Sequence, residues 1–255
     1  DIEYNNHRTF QAEPEPTAEI YIDTTAERAS VEEVTIASNT IQATSSPGGA
    51  NIRIIEKRDT SRPPGLWTIT GNIIGSQENN VHLTGCHGIV ISGNFIYSCT
   101  HRNVLAEDCS QLNFTGNSFR KHSGGFFTGL RFVDCRDTVI VGCTVQDEVP
   151  EGQPTQASLL ELVNCQRMTV SACQFLDGVP YGVDVSQSRR ISISQCTIED
   201  TREEKKTQGA IRFAGGCKEI LVSGNILPED TDTPIVIEKD CEVIQGQNLF
   251  PAKRK

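Results

Sequence analysis

An all-β fold, a single-stranded right-handed parallel β-helix of about nine coils with three parallel sheets, is predicted by three observations. Pairs of small residues eight positions apart recur down the chain: Cys86/Asn94, Cys109/Asn117, Cys135/Cys143, Cys165/Cys173, Ser188/Cys196 and Cys217/Asn225. The spacing within a pair is constant, whereas successive repeats lie 22 (Asn72 to Asn94) to 30 (Cys135 to Cys165) residues apart. Short apolar runs of period two flank each pair, as in Leu130, Phe132 before Cys135 and Thr138, Ile140 after it. Period two is the mark of a strand with one buried face. A rigid unit joined by loops of variable length is a solenoid, and the variable length favours the right-handed form over the strict hexapeptide repeats of the left-handed one.

The coils follow in order. Ile20-Tyr-Ile22 and Val34-Thr-Ile36 form the first, with Asn39 at its tight turn. Ile52-Arg-Ile54 and Trp67-Thr-Ile69 form the second, where Arg62-Pro-Pro-Gly65 lengthens the connection before Asn72. Regular coils start their first strands at Val81, Val104, Leu130, Leu160, Val183 and Ile211, the last with one extra residue before its cysteine. Ile235, Ile237, Cys241 and Ile244 make the final coil. At about 4.8 Å per rung the stack is about 40 Å long.

Two rows follow from this register. Asn39, Asn72, Asn94, Asn117 and Asn225 occupy the turn between second and third strands, with Cys143, Cys173 and Cys196 in the same row. Stacked amides can bond one another and the turn backbone, and cysteine tolerates burial there. The other cysteine row follows the first strand and is preceded by Gly85, Asp108, Asp134, Asn164, Gln187, Gly216 and Asp240. Most of these types accept left-handed backbone, so Asp108 and Asp134 read as turn residues rather than catalysts. The ten cysteines are therefore expected mostly as free buried thiols, with neighbouring rungs close enough for a few bridges.

The composition narrows the partners. The 255 residues carry a net charge of −10 and no long apolar run, which argues against nucleic acid and against membrane insertion. No cysteine or histidine cluster has zinc spacing. The chain starts at Asp1 without a leader, as expected of a processed form. Residues 1–17 read as a polar N-terminal segment, 18–250 as the β-helix domain and 251–255 as a basic tail. The run 147–152 reads as an acidic, prolonged loop and the mixed charge run 200–206 as a solvated surface.

The segments Gly88–Asn94, Thr138–Cys143 and Arg190–Cys196 resemble the coil repeat of the right-handed parallel β-helix, or pectate-lyase-like, superfamily. The resemblance spans about residues 18 to 250. It implies an acidic polysaccharide as partner, a secreted or cell-surface location, and a binding groove on the outer face of the first-strand sheet. The paired-aspartate signature of the polygalacturonases is absent, so the resemblance names no reaction.

The register supplies the candidates. The outward row of the first strands reads Tyr21, Arg53, His82, Leu105, Arg131, Glu161, Asp184, Arg212, Val236. Arg131, Glu161, Asp184 and Arg212 form a contiguous charged stripe and are the candidate catalytic residues. Glu161 and Asp184 are also the candidate ligands of a Ca²⁺ ion bridged by a substrate carboxylate. His82, His101, Lys121, His122, Phe126, Phe127 and Tyr181 are expected to bind substrate from the strand and the overhanging loops, where His101-Arg102 and Arg120-Lys-His122 make a basic rim over His82 and Arg131. A Ca²⁺-assisted lyase would use Arg131 as base, and a glycoside hydrolase would use the two carboxylates as acid and nucleophile or base. The same stripe serves a noncatalytic scaffold or glycan-binding module as a salt-bridge ladder, worth about 0.2–1 kcal/mol per cross-strand pair.

Overall fold

A computed structural model describes residues 2–3, 16–26, 31–57, 65–147, 154–228 and 233–250. The polar segment at 4–15, most of the turn Arg62–Gly65, most of the acidic loop after Asp147 and the basic tail lie outside the described residues.

The described residues form a β-solenoid with parallel strand pairing throughout its ladders. A nine-stranded sheet running from Thr35–Ala37 to Val243–Gln245 collects the second strands, one per coil. First strands stack from Ala18–Asp23 to Ile235–Ile237. Seven third strands, from Thr40–Gln42 to Thr197–Glu199, close the coils. The last two described coils close with single bridges at Ile226 and Leu249.

The three faces are joined by two hydrogen-bonded sheets rather than three. In Ile73–Thr84 and Phe95–Glu107 the third strand of one coil runs on into the first strand of the next. First and third faces therefore share one 15-stranded sheet. Residues 101 and 102 (His101, Arg102), expected in a loop, lie inside this through-strand. One extra residue there shifts the register, from Gln77 opposite Cys99 to Asn79 opposite Arg102.

The alternation predicted for each strand is observed. Leu130 and Phe132 are buried, with Arg131 and Val133 between and beyond them partly exposed. Phe114 and Phe132 pack edge to face in the column, with centroids 5.3 Å apart. Trp67 is 1% exposed and belongs to this core. At the C-terminal end the inward position falls to Val243, opposite Ile220, and Ile244 turns out to solvent, one residue off the expected register.

Corners explain the eight-residue rule. Ser38, Gly71, Gly93, Gly116, Gly142, Ala172, Gln195 and Gly224, each just before the asparagine/cysteine row, have φ between 52° and 71°. Gly85, Asp108, Asp134, Asn164, Gln187 and Gly216 do the same before the other row, which makes Asp108 and Asp134 turn residues as expected. The left-handed residue turns the chain so that the next side chain points inward. Asn72 N and Nδ2 both donate to Asn94 Oδ1, at 2.9 and 3.0 Å, and Asn94 repeats this with Asn117 Oδ1 at 3.0 Å. Asn225 is capped in the same way by Asn248, which the sequence reading did not place in the row. All ten cysteines are free and nine are buried. Thiols stand in for amides in this row by donating to backbone carbonyls, as Cys173 does to Ile140 O and Ser171 O.

Asn94→Ala should leave the Asn72 N–H and amide without their buried acceptor. Each orphaned polar group costs about 1–3 kcal/mol. Urea unfolding should show a loss of about 2–5 kcal/mol, with an unchanged dependence on denaturant.

Candidate functional site

The first strands deliver the predicted outward row in full. Tyr21 lies opposite Arg53, Arg53 opposite His82, His82 opposite Leu105, and Leu105 opposite Arg131. Arg131 lies opposite Glu161, Glu161 opposite Asp184, Asp184 opposite Arg212, and Arg212 opposite Val236. Parallel pairing spaces such neighbours by about 4.8 Å, which brings together four charges from well-separated stretches of chain.

The two carboxylates are held differently. Glu161 Oε2 accepts from Arg131 Nη1 at 2.5 Å and from Arg102 Nη2 at 2.9 Å. Asp184 faces Arg212 Nη1 at 3.2 and 3.4 Å. Arg212 divides its guanidinium, giving Nη2 to Glu238 Oε1 at 2.9 Å. Burial holds the Asp184 carboxyl above the usual aspartate range; Arg212 opposes this and the charge of Glu161 adds to it. Tyr181 sits in the strand Tyr181–Ser186 with the Arg212 guanidinium 5.9 Å from its ring centroid, a cation–π contact that makes it part of the stripe.

The remaining candidates lie as follows. His82 Nε2 is 2.9 Å from Glu107 Oε2, and burial lowers the basicity of this ring against the pull of that bond. His101 is exposed, with Nδ1 3.0 Å from Asn79 Oδ1; burial of part of its ring and then Arg102 lower its pKa. Phe127 exchanges both backbone hydrogen bonds with Cys99, which ties the 124–127 loop down on the through-strand and leaves Phe126 and Phe127 half-buried. His122 is exposed and meets the Tyr97 ring edge to face.

Lys121 departs from the expected basic rim. It is 4% exposed and its Nζ lies 2.6 Å from Asp147 Oδ1, whose carboxylate also takes Thr155 N and Oγ1. Asp147, at the start of the acidic loop, is buried for the same reason. Asp200 is likewise buried and collects Arg202, Lys206 N and Thr207 N, so the charged run at 200–206 is organised around it.

Arg102 is the residue that sequence reasoning misplaced: 7% exposed, it reaches under the row to Glu161 rather than overhanging it. A buried polar ladder at the same corner was also not foreseen. Asn51 Nδ2 donates to Asn80 Oδ1 at 2.9 Å, Asn80 Nδ2 to Asn103 Oδ1 at 2.8 Å, and Asn103 Nδ2 to Thr128 Oγ1 at 2.7 Å. The asparagine spacing of 29 and 23 residues matches the solenoid repeat and was the available signal.

Glu161 and Asp184 alone do not suit Ca²⁺. The ion takes six to eight oxygens, and Glu161 Oε2 is already shared by two guanidiniums. Among the described residues no group of three His, Cys, Asp or Glu side chains could hold a metal. No helix among them is long and apolar enough to cross a membrane.

Lys121→Ala should leave the Asp147 charge buried and uncompensated. Thermal or urea unfolding should show a loss of about 3–5 kcal/mol, the usual cost of breaking a buried pair.

The family model described as "right handed beta helix region" matches residues 18–198. No curated protein matches the chain. Among solved structures, an alginate lyase from Paenibacillus sp. str. FPU-7 superposes with a TM-score of 0.66 at 12% identity, covering 91% of this chain and 82% of that one. Tailspike protein 2 of Escherichia coli O157:H7 bacteriophage CAB120 gives 0.55 at 13% identity and 87% coverage, and this chain spans 37% of its length. The enzymatically active domain of the bacteriophage CBA120 tailspike protein 2 gives 0.53 at 13% identity; this chain is covered over 87% and spans 41% of that one. At these identities the likeness is one of fold.

Proposed function

This chain belongs to the right-handed β-helix family, and on that footing we propose that it is a carbohydrate-active protein. It acts on an acidic polysaccharide laid along the outer face of the first-strand sheet, outside the cell or at its surface. The observation that carries the reading is the in-register row Arg131–Glu161–Asp184–Arg212, with two adjacent carboxylates in unlike environments. Like charges on neighbouring strands cost stability unless something offsets them. Solved structures of an alginate lyase and of a tailspike's enzymatically active domain on this fold lend it support.

Asp184 is the proton donor in this reading. Its raised pKa keeps a larger protonated fraction than a free aspartate would have, and both elimination and hydrolysis need an acid at the departing glycosidic oxygen. The partner separates the two reactions. A lyase would take the proton alpha to the uronate carboxylate with Arg131, whereas a hydrolase would use Glu161 as nucleophile or base. No step is routed through Ca²⁺. A second reading, a noncatalytic glycan-binding module, is favoured by one observation: Arg102, Arg131 and Arg212 are all already paired with Glu161, Asp184 or Glu238.

Pectate, alginate and glycosaminoglycans, each with and without added Ca²⁺, provide the test, read by absorbance of the unsaturated product together with reducing ends. Both signals rising together identifies a lyase, and reducing ends alone a hydrolase. Turnover of none of them leaves the binding module. Asp184→Asn should lower kcat by about 10²–10⁴-fold. It should change stability at neutral pH by less than about 1 kcal/mol, because it removes a partly buried charge together with a long ion pair. A full loss of folding on this substitution would make the row a structural ladder.

The pH dependence has a definite sign. The Asp184 acid form is lost as pH rises through its raised value, so kcat should fall along that limb. A carboxyl whose folded pKa is raised stabilises the fold fully only below its unfolded pKa, and that contribution disappears as pH rises through the folded one. Activity and Asp184-dependent stability should therefore decline over the same range above the usual aspartate pKa.

A further inference from the structure

We propose that a cleft at the N-terminal end of the same face is a separate subsite for a carboxylate-bearing sugar, held by Arg53 and Tyr21. This rests on the reading of the face as a binding surface for an acidic glycan, but not on any chemistry at Asp184. The cleft has a volume of about 560 Å³ and opens over the outward positions of the first three coils, Tyr21, Arg53 and His82.

Its lip is anchored. Gln77 Oε1 accepts from Ser46 N at 2.7 Å and Gln77 Nε2 donates to Thr17 Oγ1 at 3.2 Å, while Thr17 and Ser46 hydroxyls meet at 2.8 Å. Thr17 and Gly48 on that lip face the cleft. A side chain at Gly49 would strike Ser46 Oγ and Gln77, so the lip is built around its glycine. A lip fixed in this way keeps the cleft open before any ligand arrives, which lowers the ordering cost of binding.

Arg53 differs from every other arginine at this face. Arg131 and Arg212 on the row, and Arg102 beneath it, each meet a carboxylate. Arg53 has none within 4 Å among the described residues. Its Nη1 is oriented by Thr84 Oγ1 at 3.0 Å and His82 O at 3.2 Å, with a longer bond to Ile54 O at 3.4 Å. Among the described residues neither Nη2 nor Nε donates a hydrogen bond. The nearby acids are spent elsewhere. Asp23 is held by Thr25 and the Tyr21 hydroxyl, and Glu107 by His82. A half-buried, pre-oriented guanidinium with no carboxylate in contact among the described residues is a carboxylate receptor, since its planar fork matches that group.

Tyr21 supplies the other half of a sugar contact. It is 59% exposed beside Arg53, on the neighbouring rung. An exposed aromatic ring next to an unpaired guanidinium offers a flat apolar face for the sugar and a clamp for its carboxylate. Arg53 lies five rungs from Asp184, through His82, Leu105, Arg131 and Glu161. At about 4.8 Å per rung the separation is about 24 Å, beyond the reach of a trisaccharide bound in the cleft. The cleft thus grips the chain at a distance from the charged stripe and sets the register in which the polymer lies.

Calorimetric titration of the full chain at low salt with trigalacturonate, trimannuronate and neutral maltotriose tests this. At least one uronate trisaccharide should bind, more weakly as NaCl is raised, and maltotriose should not. Arg53→Met should weaken binding by about tenfold or more, and Tyr21→Ala by about fivefold. Should Arg53→Met fail to fold, because Nη1 supports two strands, Tyr21→Ala carries the test, since among the described residues the Tyr21 hydroxyl meets Asp23 alone. Asp184→Asn should bind like the parent. The cleft is overturned if neither uronate binds, if maltotriose binds equally, or if the folded Arg53→Met and Tyr21→Ala variants bind like the parent. Turnover of a polysaccharide without Arg53- or Tyr21-dependent binding would remove the cleft and keep the proposed activity. Such binding without turnover would keep the cleft and remove the activity.

Discussion

Each coil must sit in register on the one before it, and the inward rows at the corners enforce this. A left-handed residue turns the backbone, and the next side chain enters the core and bonds the adjacent rung. In Asn72 and Asn94 this is a pair of hydrogen bonds to one carbonyl oxygen; in Cys165 it is a thiol directed at the Phe132 carbonyl of the coil below. A slip of one residue would turn Leu130 and Phe132 out and Arg131 in. Because the backbone ladders of each coil pair with the coils directly before and after it, the register is set locally and passed along the stack.

The outer face inherits that register. A charge row across successive strands exists because the corners hold each first strand at the same height and phase. The row is not uniform. Glu161 is bracketed by two guanidiniums, one of them reaching from the corner, while Asp184 shares a single arginine with Glu238. Two carboxylates one rung apart are thereby placed in different electrostatic settings, the usual requirement for acid and base roles at one site. At the other end of the same face Arg53 stands over an open cleft with no carboxylate in contact among the described residues. One sheet therefore presents a neutralised centre and an unsatisfied cationic end.

Most of the fold was legible in the chain because its constraints are local and repeated. Small residues after a left-handed corner, and period-two apolar runs, recur often enough to align coil on coil. The same alignment predicted every neighbour in the outward row from Tyr21 to Val236. It failed where a local pattern had two readings. Polar residues after a strand ordinarily mean a loop, yet Cys99–Asn103 continues as a strand through an irregular register. Arg102 is consequently beneath the row. Lys121 and Asp147 read as surface charges singly, and only their meeting in the core makes burial tolerable. Ile244 shows the limit in the last described coil, where two adjacent apolar residues compete for one inward position and Val243 takes it.

By itself, then, the sequence determined the architecture, the inward rows and the order of side chains along the outer face. These depend on backbone turns and alternation, which each repeat encodes within about ten residues. The tertiary structure alone decided which charges are paired, which are buried and where the face is hollow. Those properties depend on long side chains such as Arg102, which reaches two rungs to Glu161, and Arg53, which reaches one rung to Thr84, so that their partners come from stretches of chain 59 and 31 residues away.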